Sequence, residues 1–281
     1  LFKKLLRDLG QAKGQSVAIL AVIGIGVMAY TGINTAFRNL SNASEKYYRE
    51  YRFADLSTSF HRAPESLAGK ISSLPYVKMT TGRIIKEAKI FISGENAVVR
   101  VISLPDEKQD IVNDILIKTG RYFSADGNNQ CLVEEEFFKA HNLKIGDYIY
   151  PVINGNETGL RVMGAVKSPE YVYLVRDTGE LLGNARKFGI IYLKKSFCQS
   201  IYNFEGSINN MCMLLEEGTD IEKAKHDVEK AVDEFGLIDV TEKKDQLSNR
   251  MLSEEIRGLQ STGSTFPVIF FIVAAAILYI M

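Results

Sequence analysis

Histidine is scarce in this 281-residue chain, with three residues, and tryptophan is absent. His61, His141 and His226 lie far apart, without the spacing of metal ligands, and each reads as a surface or capping residue. No H-E-x-x-H, G-x-S-x-G or C-x-x-C occurs, so three common enzyme chemistries lack their motif. The glycines and lysine of "GQAKGQS" stand in the wrong order for a Walker A loop. ATP hydrolysis is therefore not expected of this chain itself. Net charge is also missing: 34 basic residues balance 34 acidic ones, which leaves no nucleic-acid footprint. Cys131, Cys198 and Cys212 are odd in number, so no disulfide framework follows, and buried free thiols are expected, with one bridge left open. No catalytic residue, metal ligand or cofactor is assigned from the sequence, and substrate contacts stay open. Glu134, Glu135 and Glu136 are adjacent carboxylates on a short helix, where a solvated face is expected. Tyr171 and Tyr173 fit an exposed loop or core packing equally well.

Charge is also absent from two long stretches. Ser16–Ala36 carries none and is long enough to span a bilayer, which takes roughly 20 apolar residues. Its glycines suit membrane packing. A cleaved signal peptide is the rival, with a shorter core and a small-residue cleavage site. Gly258–Met281 is uncharged too, and nearly every side chain from Phe266 onward is apolar. The expected division is a basic cytoplasmic segment (1–15), a first membrane helix (16–36), an outer domain (37–260) and the truncated start of a second membrane helix (261–281). Since the chain begins at Leu1 and stops inside an apolar run, a fragment of a larger membrane protein is expected. Lys3, Lys4, Arg7 and Lys13 precede the first span, which predicts a cytoplasmic N-terminus and an extracytoplasmic 37–260. Phe2, Leu5, Leu6 and Leu9 form an apolar stripe beside those cations, as in an amphipathic surface helix that serves as an anchor or as a coupling element.

The outer region reads as α+β. Ala54, Leu56, Thr58 and Phe60 alternate with polar residues, predicting a strand, and Leu67, Ile71 and Leu74 follow at helical spacing after Pro64. Arg83–Leu104 reads as a hairpin around Gly94. Late in the chain, Asn209–Leu215 predicts a strand. Thr219 and Glu222 form a capping box, Ile221–Phe235 a helix closed by Gly236, and Leu237–Thr241 a strand. Between these β-α-β pieces, about 120–194, lies a mostly-β inserted subdomain, with turns at Gly146-Asp147 and Asn154-Gly155. A helical stripe from Leu247 to Leu259 runs toward the second span, where Gly258, Gly263 and Pro267 mark either a hinge or the water–membrane junction.

"TGRYFS" (119–124), "CLVEEEFFKAHNLKIGDYI" (131–149) and "LRVMGAVKSPEYVYL" (160–174), in this order between two spans, resemble FtsX-like ABC transporter permeases with a MacB-like periplasmic core domain. The resemblance implies a porter-like α+β domain with a smaller insertion. It further implies a separate cytoplasmic ATPase, a second permease copy or paired permease, and motion passed mechanically through membrane helices. Export of, or response to, peptides, antibiotics or lipoproteins is what such a family would do. A two-span sensor receptor with an outer ligand-binding domain has the same topology and is the alternative, followed by a membrane-anchored enzyme.

Overall fold

The computed structural model describes residues 13–177 and 183–280. The N-terminal amphipathic stripe lies outside the described residues. The chain divides into two units, one of residues 1–46 with 252–281 and one of residues 47–251.

In the first unit, helix α1 (Lys13–Glu50) and helix α6 (Leu247–Ile280) contribute their apolar stretches. Both are long and apolar enough to cross a membrane. Small residues set their contact. A Cβ at Gly26 would stand 3.0 Å from Phe270, and one at Gly263 would stand 3.1 Å from Ile33. Asn34 Nδ2 donates to the Gly263 carbonyl at 3.4 Å as well as to Tyr30 in its own helix. Such pairs of small residues and amides are how helices associate where lipid replaces water. α6 passes Gly258, Gly263 and Pro267 as one continuous helix.

The second unit holds two sheets, as a mixed α/β domain flanked in sequence by the two apolar helices. Strands β1 (Leu56–Pro64), β2 (Val77–Arg83), β12 (Ser207–Leu215) and β13 (Leu237–Glu242) form an antiparallel sheet in the order β13-β1-β12-β2. One face is covered by α2 (Ser66–Ser72) and α5 (Ile221–Val232), through Leu56, Phe60, Ile71, Met211, Met213, Val228 and Val232. The predicted alternation of β1 appears as buried Leu56, Thr58 and Phe60 with Ser57 and Ser59 on the reverse. α5 begins one residue later than the capping box requires. Asp220, not Thr219, accepts from the amides of Glu222 and Lys223, because the Thr219 hydroxyl donates to the Glu216 carbonyl instead. Ile221 consequently faces solvent.

The other sheet starts earlier than residue 120. β3 (Ile85–Ile92) and β4 (Glu95–Leu104) belong to it, together with β5 (Leu116–Gly120), β6 (Gln130–Glu134), β7 (Tyr148–Ile149), β8 (Pro151–Ile153), β9 (Asn156–Glu157), β10 (Leu160–Lys167) and β11 (Phe188–Lys194). Its order is β5-β10-β6-β11-β4-β3-β8-β9, and β7 pairs with β10. β7 and β8 are separated by Tyr150 alone, so β10, β6, β11, β4, β3 and β8/β7 close a ring. Closure removes most free edges and gives an inside that side chains can fill. All seven residues of β11 are buried. That is the pattern of a strand covered on both faces. α3 (Glu135–Ala140) and α4 (Lys195–Tyr202) each follow directly from a strand, β6 and β11.

The turn chemistry is visible in the dihedrals. Ser93-Gly94 and Asn154-Gly155 carry positive φ at both central positions, the two-residue hairpin form. Gly120 and Gly164 face each other across β5 and β10. A Cβ at Gly120, whose φ is +86°, would come within 2.3 Å of the Met163 carbonyl. Cys131, Cys198 and Cys212 are all free and buried, each with burial raising its thiol pKa.

Candidate functional site: the joint between the two sheets

The chain passes from one sheet to the other through a single residue, Ile84, between β2 and β3. Arg83, the last residue of β2, is buried there. Its guanidinium forks onto Glu170, with Nη1–Oε2 at 2.5 Å and Nη2–Oε1 at 2.9 Å. Nε and Nη2 also donate to Asn210 Oδ1 at 3.0 and 2.8 Å. Asn210 belongs to β12 of the open sheet, and Glu170 to the 3-10 turn (Pro169–Tyr171) that leaves the barrel strand β10. One buried cation thus ties both sheets. Burial opposes its charge, but Cys212 and the Glu170 carboxylate outweigh burial and hold the pKa above the usual arginine range.

A second tie lies beside it. The Asn209 side chain accepts from the Ile85 amide and donates to the Ile85 carbonyl, both at 2.8 Å. It thus acts as a strand partner to β3 although it belongs to the other sheet. Ile84 pairs by its amide with Ser103 Oγ at 2.8 Å. The segment 110–114 completes the joint. Asn113 accepts from the Ala54 amide at 2.7 Å and donates to Cys212 Sγ at 3.3 Å, and Val112 donates to Thr81 Oγ1 at 2.9 Å.

The ends of the long helices reach this joint. Gln246 and Ser248 stand at the start of α6. Gln246 donates to the Glu170 carbonyl at 2.5 Å, and Ser248 Oγ accepts from the Tyr173 amide at 2.8 Å. Gln246 also accepts from the Asn249 amide at 2.8 Å, so one side chain caps the helix and holds the loop. After the last turn of α1, Arg52 donates to the Ile111 carbonyl at 2.8 Å and pairs with Asp110 and Asp114 at 2.9 and 3.0 Å. Tyr48 packs on Phe53 with ring centres 4.6 Å apart. The loop after β10 is therefore gripped by the first residues of α6 while it holds Arg83.

The sequence-stated candidates fare differently. Tyr171 and Tyr173 lie in this loop, half-buried. Tyr173 donates its backbone amide to Ser248 Oγ. Glu134 is buried, not solvated. It N-caps α3 by accepting from the amides of Glu136 and Phe137 at 2.8 and 3.1 Å, and burial pushes its pKa to about 7. His141 is likewise buried, its ring 4.4 Å from that of Phe137. His61 and His226 are exposed. Among the described residues no group of His, Cys, Asp and Glu is placed to hold a metal. Arg83, Glu170, Asn209 and Asn210 went unnoticed in the sequence. A lone arginine beside a strand end gives no signal that its partner is a glutamate 87 positions away.

A mixed α/β domain of two sheets, one closed and one open, thus stands between two apolar helices in the sequence. The model of the MacB-like periplasmic core domain family matches residues 16–231, and the chain belongs to that family. Among solved structures, the chain is similar to the extracellular domain of the noncanonic ABC-type transporter YknZ from Gram-positive bacteria. Identity is 12%, the TM-score 0.44, and 66% of this chain and 99% of that one are covered. The periplasmic region of MacB from Actinobacillus actinomycetemcomitans is similar at 12% identity and a TM-score of 0.44, over 75% of this chain and 95% of that one. No curated protein matches.

Proposed function

We propose that this chain is a permease subunit of an ABC transporter of the FtsX/MacB type. In this reading residues 37–260 stand outside the cell membrane, the N-terminus is cytoplasmic, and a separate ATPase in the cytoplasm supplies the energy. The family match over residues 16–231 carries the reading. The joint adds a physical reason. The loop after β10 is bonded to the start of one long helix and to the arginine that ties both sheets. A displacement of that helix start would load both sheets together rather than one alone, as mechanical coupling across a membrane requires.

The test is purification of the natural full-length protein from its own membranes in mild detergent, followed by identification of what accompanies it. Co-purification of a Walker A subunit with ATPase activity supports the reading. A kinase or receptor signalling segment in its place would establish the two-span sensor and overturn it. Peptides, antibiotics and lipoproteins are the substrate classes to assay once the ATPase is in hand, by its stimulation.

A further inference from the structure

The open sheet has one face covered by helices and one that is not. The uncovered face carries small polar groups: Ser57 and Ser59 from β1, Asn210 from β12 and Thr241 from β13. It floors a cleft of about 720 Å³ whose other walls are the start of β3, Arg100 of β4 and the loop at Glu170–Tyr171. That volume lies within the range of small-molecule sites, which favour the junctions between structural bodies.

The charges around the cleft are unevenly spent. Arg83, Lys86, Arg100 and Lys243 line it, with the carboxylates Glu87, Glu170 and Glu242. Each carboxylate is already committed. Glu170 holds Arg83, Glu87 is shared by Arg100 and Arg176, and Glu242 is bound by Lys225 and Lys244. Lys86 lies 4.7 Å over the Phe204 ring, and among the described residues no carboxylate stands within ion-pair distance of it. Lys243 stands 3.9 Å from Asp55 and over the Tyr48 and Phe53 rings. Cations held by rings or by long contacts keep hydrogen-bond donors for a stronger acceptor. The Asn210 amide is spent on Arg83, Thr58 and Ser59, while the hydroxyls of Ser57, Ser59 and Thr241 keep the capacity to accept.

We propose that this cleft binds a small polar organic anion, with a carboxylate or phosphate group met by Lys86 and a hydrogen-bonding body laid on the Ser57, Ser59 and Thr241 hydroxyls of the floor. This does not depend on the transporter reading, since a sensor with the same domain would carry the same cleft.

The test uses the whole chain in lipid nanodiscs, with amide chemical shifts as the readout. N-acetyl-trialanine with a free carboxylate, its C-terminal amide and glycerol 3-phosphate are the probes. Saturable shifts confined to Ser57, Ser59, Lys86 and Asn210 with either anion, at least tenfold weaker with the amide, are expected; which anion binds tells carboxylate from phosphate. Lys86→Gln is expected to weaken binding at least fivefold with the melting temperature unchanged. Thr241→Phe, which fills the cleft and spares every cation, is expected to abolish it. Equal binding of acid and amide, absence of saturation with both anions, or undiminished binding in Lys86→Gln would overturn the proposal, and Lys86→Gln decides the matter even if Thr241→Phe fails to fold.

Discussion

The open sheet and the closed barrel solve the same problem in opposite ways. The four-stranded sheet buries one face beneath two helices and leaves the reverse without one, with Ser57, Ser59 and Asn210 on it beside Cys212. The barrel buries β11 on both sides, and Val99, Val101, Leu132, Phe137, Ile190 and Ile191 belong to its core. Apolar burial dominates the barrel. Contact between the two bodies adds the polar ties of Arg83, Glu170 and Asn209 to a small apolar cluster of Ala54, Val112 and Cys212. Specific polar ties fix orientation where a purely apolar interface would allow sliding.

The comparison can be broken first at the polar tie. Glu170→Met leaves Arg83 buried without its carboxylate, and losing one partner of a buried pair costs about 3–5 kcal/mol. The double variant Arg83→Met with Glu170→Met is expected to cost less than either single change, which denaturant unfolding of all three will show. If the double variant is the least stable, the pair is not the unit argued here.

Inside the barrel the largest effect belongs to Glu134. Its folded pKa, about 7, lies above its ordinary 4.5, so the native state binds the proton more tightly. The stabilisation is fully present below about pH 4.5 and is lost as pH rises to about 7, a change on the order of 3 kcal/mol. Glu134→Gln keeps an acceptor for the α3 amides and is expected to flatten that slope. Melting temperatures of both proteins across this window test it, and parallel curves would refute it.

Next comes Gly189. A Cβ there would lie 2.3 Å from the Phe137 ring, so Gly189→Ala overpacks the barrel by about 1–3 kcal/mol. Combined with Phe137→Ala the two effects should fail to add, since the smaller ring site admits the methyl. The smallest effect lies on the open sheet. Asp220→Ala removes the N-cap of α5 and is expected to cost about 1 kcal/mol in the same unfolding assay, with the barrel untouched.

Local signals carried much of the fold into view. The β1 alternation, the Asn154-Gly155 hairpin, the α5 stripe through Ala224, Val228 and Val232, and the Gly236 stop all depend on neighbours in sequence, and all are present. The family-like words proved to be architectural. Gly120 and Gly164 admit close backbone approach where β5 meets β10, and Gly146 adopts positive φ in the turn whose Asp147 side chain accepts from the Lys144 amide at 2.8 Å. What stayed hidden was non-local. Nothing in Arg83–Leu104 announces that its hairpin joins the barrel and not the sheet that β2 ends, because the register is set by pairing with β8 and β11. The joint was invisible for the same reason: Arg83, Glu170 and Asn210 become a site only when three distant strand ends meet.

Hydrogen exchange on Arg83→Met, compared with the unchanged protein, tests the central claim most directly. The account predicts that the amides of Ile85 and of the Glu170–Tyr173 loop lose protection together while β6 and α5 keep theirs. Loss confined to β2, with the loop and Ile85 as protected as before, would contradict the view that this arginine binds the two sheets into one body.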